Sequence, residues 1–174
     1  MGRSSISARK LASASHAAGH DHGRCVATLL DRARRSFDEQ GLRLTALRQR
    51  VLEEMAASHD AMGAYDVLDR LSRRTGERVA PISVYRAIDA LLQAGLVHRL
   101  ESRNAYFACH APHDNRQRHM ALVCETCAKV VEVPAAALYD SIDTACTAQG
   151  FTLKSAVAEG FGLCAACRST ERAQ

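Results

Sequence analysis

The chain has 174 residues, 47% of them hydrophobic, but only 5% are aromatic and none is tryptophan, so Leu, Val and Ala must build the core. That length suits one large domain or two small ones, and a net charge of +4 permits an acidic partner without demanding one. No apolar run approaches the ~20 residues of a membrane span. Residues 1–24 lack the hydrophobic stretch of a secretory signal, and the seven cysteines are odd in number, so a reducing cytoplasm is the expected compartment.

Residues 1–24 show no apolar period and read as an unstructured tail. His16, His20 and His22 with Cys25 could clamp a metal ion, but a solvated tail is the plainer reading. From Cys25 the pattern turns helical, with Val26, Leu29, Leu30, Ala33 and Phe37 on one face and Gly41 as the stop. A second helix follows Thr45, a good N-cap, and buries Leu47, Val51, Leu52 and Met55. The third, from about Gly63 to Arg74, buries Ala64, Val67, Leu68 and Leu71. The fourth opens near Pro81 and buries Val84, Ile88, Leu91 and Leu92 before Gly95. LVHRL, the polar ESRN and AYFAC then predict a β-hairpin. This order predicts a winged helix-turn-helix over residues 25–108.

Residues 109–119 are polar, contain a proline and read as a hinge. Residues 120–174 alternate strand, cysteine knuckle, strand, helix, strand, knuckle, which makes the whole chain α+β. MALV, KVVEV and FTLKSAVAEGFGL are the strand-like segments. The helix, about Ala135 to Gln149, buries Leu138, Ile142 and Ala145, with Cys146 a packed thiol at its margin.

Cys124-x-x-Cys127 and Cys164-x-x-Cys167 stand thirty-six residues apart. Each pair offers two thiolates from a tight turn, and together they complete a sulfur shell for structural zinc. A redox C-x-x-C would leave the second pair unexplained and lacks a catalytic His or acid beside it. Paired disulfides would need an oxidising compartment. No enzyme is therefore expected, and a zinc staple suits a domain with a thin core.

Two further sets carry chemistry. On the fourth helix Ser83, Tyr85, Arg86 and Asp89 lie away from the buried stripe. Arg can fork onto guanine, and Tyr can meet a thymine methyl and a phosphate. Arg43, Arg48 and Arg50 flank the second helix, and Arg73, Arg74 and Arg78 crowd the approach to the fourth. Acids nearly balance bases here, so binding to double-stranded DNA must rest on local clustering. Around the hinge, His98, Cys109, His119 and Glu132 form a nitrogen, sulfur and oxygen set suited to a second zinc, joining wing to C-terminal domain only when metal is present.

The stretches GLRLTALRQRVLE, AYDVLDRL, SVYRAIDALLQAGLVHRLESRNAYFACH and MALVCETCAKVVEV, with the final CAAC, resemble the ferric uptake regulator family, closest to its zinc uptake regulator branch. The resemblance covers about residues 25 to 168. It implies a metal-dependent homodimeric repressor of zinc-uptake genes, acting on palindromic operators, with a C-terminal dimerisation domain and two zinc ions per subunit. It places structural zinc on Cys124, Cys127, Cys164 and Cys167. Regulatory zinc falls on His98, Cys109, a histidine before the knuckle and Glu132, with His119 favoured and His113 the alternative; His110 adjoins Cys109. The DNA-reading side chains fall on Tyr65 and Arg86. The run RQRHMALVC lacks the histidine-rich, aspartate-bearing segment of iron-sensing members, and no histidine follows His119. A relative sensing iron, manganese or peroxide is the alternative function. A metal buffer would not need Tyr65, Tyr85 or Arg86.

Overall fold

The computed structural model describes residues 22–109 and 118–171. His16, His20, His110 and His113 lie outside the described residues, as does the His22 side chain. Helix α1 (His22–Glu39) begins three residues before the apolar period does, and Gly23 and Arg24 in that added turn are exposed. It buries Leu29, Ala33 and Phe37. Thr45 starts α2 (Ala46–Ala56), its hydroxyl accepting from the Arg48 N–H at 3.4 Å, and Val51, Leu52 and Met55 are wholly buried. Each such side chain contributes about 1.5–3 kcal/mol of burial.

Gly63 caps α3 (Ala64–Thr75), its N–H donating to the Asp66 carboxylate at 2.9 Å. A Cβ at Gly63 would crowd that same carboxylate oxygen at 3.2 Å. Gly76 ends the helix in the left-handed region at φ 68°, where a side chain is strained. Pro81 occupies the first turn of α4 (Pro81–Gln93), which buries Val84, Ile88 and Leu91. Leu47, Leu68 and Leu92, expected in the core, are only half-buried and pack against its edge.

Strands β1 (Val97–Leu100) and β2 (Ala105–Ala108) pair antiparallel, with His98 opposite Phe107 and Leu100 opposite Ala105. A short 3-10 turn, Glu101–Arg103, and left-handed Asn104 join them. This is the expected wing. A second sheet has the order β4-β3-β5, from β3 (His119–Cys124), β4 (Val130–Pro134) and β5 (Glu159–Gly162). β3 is antiparallel to β4 and parallel to β5, and α5 (Ala136–Ala148) supplies the crossover.

Three local expectations need correction. Only 159–162 of the strand-like 151–163 segment is strand. In its parallel register Val157 would stand opposite His119, the first residue of β3, so the segment upstream has no edge to pair with. On α5 the buried residue is Tyr139, whereas Leu138 and Ala145 are exposed and Ile142 is half-buried. Among the described residues nothing buries Leu138 or Ala145. Finally, a short helix α6 (Ala165–Glu171) carries Cys167, where only a knuckle was expected.

The halves are joined by more than the hinge. Leu100, Ala105 and Phe107 of the wing share a small apolar cluster with Val123 and Val130 of the second sheet. The α2–α3 loop reaches both sides: Met62 and Tyr106 exchange backbone hydrogen bonds at 2.8 Å, and the Val130 N–H donates to the His59 carbonyl at 2.9 Å. No described helix is long and apolar enough to cross a membrane.

Candidate metal centres and nucleic-acid face

Cys124 ends β3, Cys127 lies in the turn to β4, Cys164 follows β5 and Cys167 sits on α6. These four elements bring the four sulfurs within 4.8 Å of one another. The Cys127 and Cys164 sulfurs are 3.8 Å apart, and the Cys164 N–H donates to the Cys124 sulfur at 3.3 Å. Burial works against ionisation of Cys124. Backbone N–H groups of Cys164, Cys127 and Thr126 aimed at its sulfur win, and its pKa falls to about 6. Cys167 is pushed up to about 12, first by its hydrogen bond with Cys164 and then by burial. One thiolate is thus ready-made, and four such sulfurs could ionise together only around a cation. The all-sulfur donor set and these oriented N–H groups fit zinc.

The turn between Cys127 and β4 is tight enough to put Ala128 in the left-handed region at φ 60°, its N–H donating to the Cys124 carbonyl at 2.9 Å. That strain is local to the knuckle.

A second group joins the two halves of the chain. His98 on β1, Cys109 just past β2 and Glu132 on β4 have ligand atoms within 4.8 Å of one another. The His98 Nε2 stands 3.2 Å from a Glu132 oxygen. Cys109 is 1% exposed, and its N–H donates to the Leu96 carbonyl at 3.0 Å. Burial, then the Glu132 charge, raises its thiol pKa to about 11, against a smaller opposing pull from Arg32 on α1. The Arg32 guanidinium also donates to the Cys109 carbonyl. Nothing in the sequence signals that contact, because Arg32 sits on the polar face of a helix 77 positions away.

His119 does not join this set. It opens β3, its carbonyl accepts from the Tyr139 hydroxyl at 3.2 Å, and it lines a cavity of about 470 Å³ that also borders His98, Glu132, Arg118 and Lys154. Nitrogen, sulfur and carboxylate donors at this spacing fit a borderline-soft divalent ion such as zinc.

The third feature is the outer face of α4. Ile82, Tyr85, Arg86 and Asp89 are exposed at helical spacing, while Ser83 is half-buried at the margin. Tyr65, 68% exposed at the start of α3, meets Tyr85 edge to face with ring centroids 6.3 Å apart. Ile82 joins this face unheralded. Several of the expected basic residues are engaged within the fold. Arg50 pairs with Glu77 at 3.2 Å, Arg73 with Asp69, and Arg74 with both Glu53 and Glu54, at 2.6 and 2.9 Å. Among the described residues no acidic partner pairs with Arg43, Arg70, Arg78 or Arg86. Of these, Arg86 lies on the exposed face of α4 and Arg78 three residues before the helix.

Residues 39–159 match the ferric uptake regulator family. The zinc uptake regulation protein of Escherichia coli strain K12 is 38% identical over 143 residues, which is 82% of this chain and 83% of that protein. The protein of the same name from Mycobacterium tuberculosis strain H37Rv is 30% identical over 129 residues, 74% of this chain and 97% of the relative. Among solved structures, a zinc uptake regulator complexed with zinc and DNA superposes with a TM-score of 0.78 at 36% identity, covering 84% of this chain and 97% of that one. Holo XcZur gives 0.70 at 34% identity, covering 86% and 99%. The wing, the exposed face of α4, Cys124 and Cys127 all fall in the matched span, and the chain belongs to the ferric uptake regulator family.

Proposed function

We propose that this protein is a zinc-responsive homodimeric repressor that binds palindromic operators of zinc-uptake genes when its regulatory site is loaded. The observation that carries the reading is the ligand set His98, Cys109 and Glu132, because two members come from the wing and one from the second sheet. A set drawn from both halves turns occupancy into a constraint on their relative angle. The superposed relative with zinc and DNA supports the same reading.

Cys124, Cys127, Cys164 and Cys167 would hold one structural zinc. His98, Cys109 and Glu132 would hold a second with a fourth ligand, for which His119 is near on the cavity wall and His113 is the alternative. When bound, zinc supplies a divalent charge and directional bonds that neither half provides alone. Tyr65, Tyr85 and Arg86 would meet bases and phosphates, with Ser83 at the edge of that face. Leu122 and Val131, paired across the sheet and exposed, together with Leu138 on α5, offer apolar surface for a second copy. Two copies related by a two-fold axis present two α4 helices to successive major grooves. Cysteines held as thiols rather than disulfides suit a reducing cytoplasm.

A repressor of another metal fits less well, since a thiolate at Cys109 favours zinc over ferrous or manganous ion. A thiol redox enzyme would need an acid or base beside a C-x-x-C, and the four sulfurs face one another instead. The test is gel shift on an operator with zinc, iron or manganese supplied singly. Zinc alone should restore high affinity; equal or better rescue by iron or manganese would refute the zinc assignment. By linkage, operator and second zinc must tighten each other's binding by one factor.

A further inference from the structure

The wing is held at two ends, and only one of them is metal-dependent. At the base of the hairpin stand His98 and Cys109. At its tip, the Glu159 carboxylate reaches from β5 and accepts from the Glu101 N–H at 2.7 Å and the Ser102 N–H at 3.3 Å. Those are the leading donors of the 3-10 turn, and Leu100 before them offers no side-chain cap. A carboxylate from the other half of the chain thus performs the task a local Ser or Asp performs elsewhere. At the far end of the turn the Arg103 guanidinium stacks 5.2 Å over Phe161, two residues along β5 on the same strand face as Glu159. Arg99 lies 3.3 Å from Glu101 and offsets a negative charge that would otherwise oppose the approach of Glu159. Beneath the turn lies the apolar cluster of Leu100, Ala105, Phe107, Val123 and Val130.

We propose that Glu159 is a metal-independent latch: it docks the wing turn on the C-terminal sheet and thereby sets how much zinc the sensor needs. This rests on the sensor reading of His98, Cys109 and Glu132. A hairpin pinned only at its base can pivot, and one pinned at both ends cannot. Ligand affinity is divided by the fraction of molecules already in the competent arrangement. With the tip docked, His98 and Cys109 stand opposite Glu132 before metal arrives. With the tip released, part of the binding energy must first re-dock the wing. Saturating zinc then compensates for the missing latch, which it could not do for a residue that merely supports the fold.

The experiment compares wild type, Glu159→Ala and Glu159→Gln as dimers carrying the four-cysteine zinc. The Gln variant retains one acceptor oxygen where the carboxylate has two. Amide exchange is followed at Ser102 and at Val130, whose N–H spans the halves through His59. Second-zinc affinity is read by chelator competition. The Ala variant should exchange faster at both amides and bind the second zinc about three- to tenfold more weakly, with the Gln variant between them. Operator affinity should fall at limiting zinc and return to within about twofold at saturation. Unchanged Val130 exchange together with unchanged zinc affinity overturns the latch, as does an operator defect that saturating zinc leaves in place. Should the Ala variant fail to fold, the Gln variant is judged by the same outcomes. A wild-type chain that takes up no second ion would refute the sensor reading instead, and Val130 exchange would still decide the latch.

Discussion

Zinc binding at the second site should release a proton from Cys109 across an unusually wide pH range. The thiol is 1% exposed beside the Glu132 carboxylate, and its pKa is raised from 9.0 to about 11. Below that value the metal must displace the proton, so affinity rises about tenfold, or 1.4 kcal/mol, per pH unit. From pH 7.5 to 9.5 a thiol at 11 predicts about a 100-fold gain, whereas one at 9.0 predicts about 25-fold, because it has largely ionised by the upper end. The assay is competition against a chelator that buffers free zinc, with proton release measured in parallel by calorimetry in buffers of different ionisation enthalpy. Cys109→Ser should remove the slope together with most of the affinity. A wild-type slope that flattens near pH 9 would refute the buried-thiol reasoning. The sign for stability follows from the same shift. The folded, metal-free chain holds this proton more tightly than the unfolded one. That advantage is intact below pH 9 and is lost as pH rises toward 11, by about 2–3 kcal/mol.

Arg86→Ala should lose about 1–3 kcal/mol of operator affinity at one base position while zinc binding is untouched; equal discrimination of operator from random DNA would refute that role. Cys164→Ser should leave three sulfurs around a cation site and lose zinc, dimer and fold together, read by metal content and sedimentation. A folded dimer with unchanged zinc content would sink the structural assignment. Ala128→Gly removes about 1–2 kcal/mol of left-handed strain and restores about 0.4–1 kcal/mol of unfolded-chain entropy. Its melting temperature should therefore rise slightly, and a clear fall would show that the strain estimate has the wrong sign.

The helices of the first half were legible because each follows one rule at a time. An apolar period sets the buried face, while Thr45, Pro81 and Gly95 mark starts and stops. The four-cysteine cluster was legible because ligand spacing in sequence maps directly onto two turns. His98, Cys109 and Glu132 could be grouped by chemistry, but their meeting depends on β1 and β4 facing one another, which no local pattern encodes. The α5 stripe was read as core and is surface, since a period reports that a face is apolar and not what covers it. Phe151 misled for a related reason. Strand propensity is a preference for a pleated partner, and β3 has no more edge to offer it. Glu159 and Arg32 carried no signal at all. Each acts on a backbone group more than fifty residues away, and a backbone group has no sequence identity.

Two cysteine environments in one chain hold the staple and the sensor of the proposed reading. At Cys124 backbone N–H groups point at the sulfur and favour thiolate at neutral pH, so the four-sulfur site begins with a charge already in place. At Cys109 the sulfur is buried beside a carboxylate, and thiolate is disfavoured until a cation arrives. The pre-ionised ligand spares only one of the four protons, since Cys167 is pushed up to about 12 and must give up its own. Proton competition therefore weakens both sites, at Cys109 by about 1.4 kcal/mol for each unit that its pKa lies above ambient pH. Moving a hydrogen-bond donor toward the Cys109 sulfur should give tighter zinc and a shallower pH slope. What separates the two on the proposed reading is where the ligands come from. The four sulfurs stand on β3, on α6, in the knuckle turn and just after β5, all in one half, whereas the sensor set is drawn from both halves of the chain. A set that two halves must meet to form loses its ion when they part, and a set within one half does not.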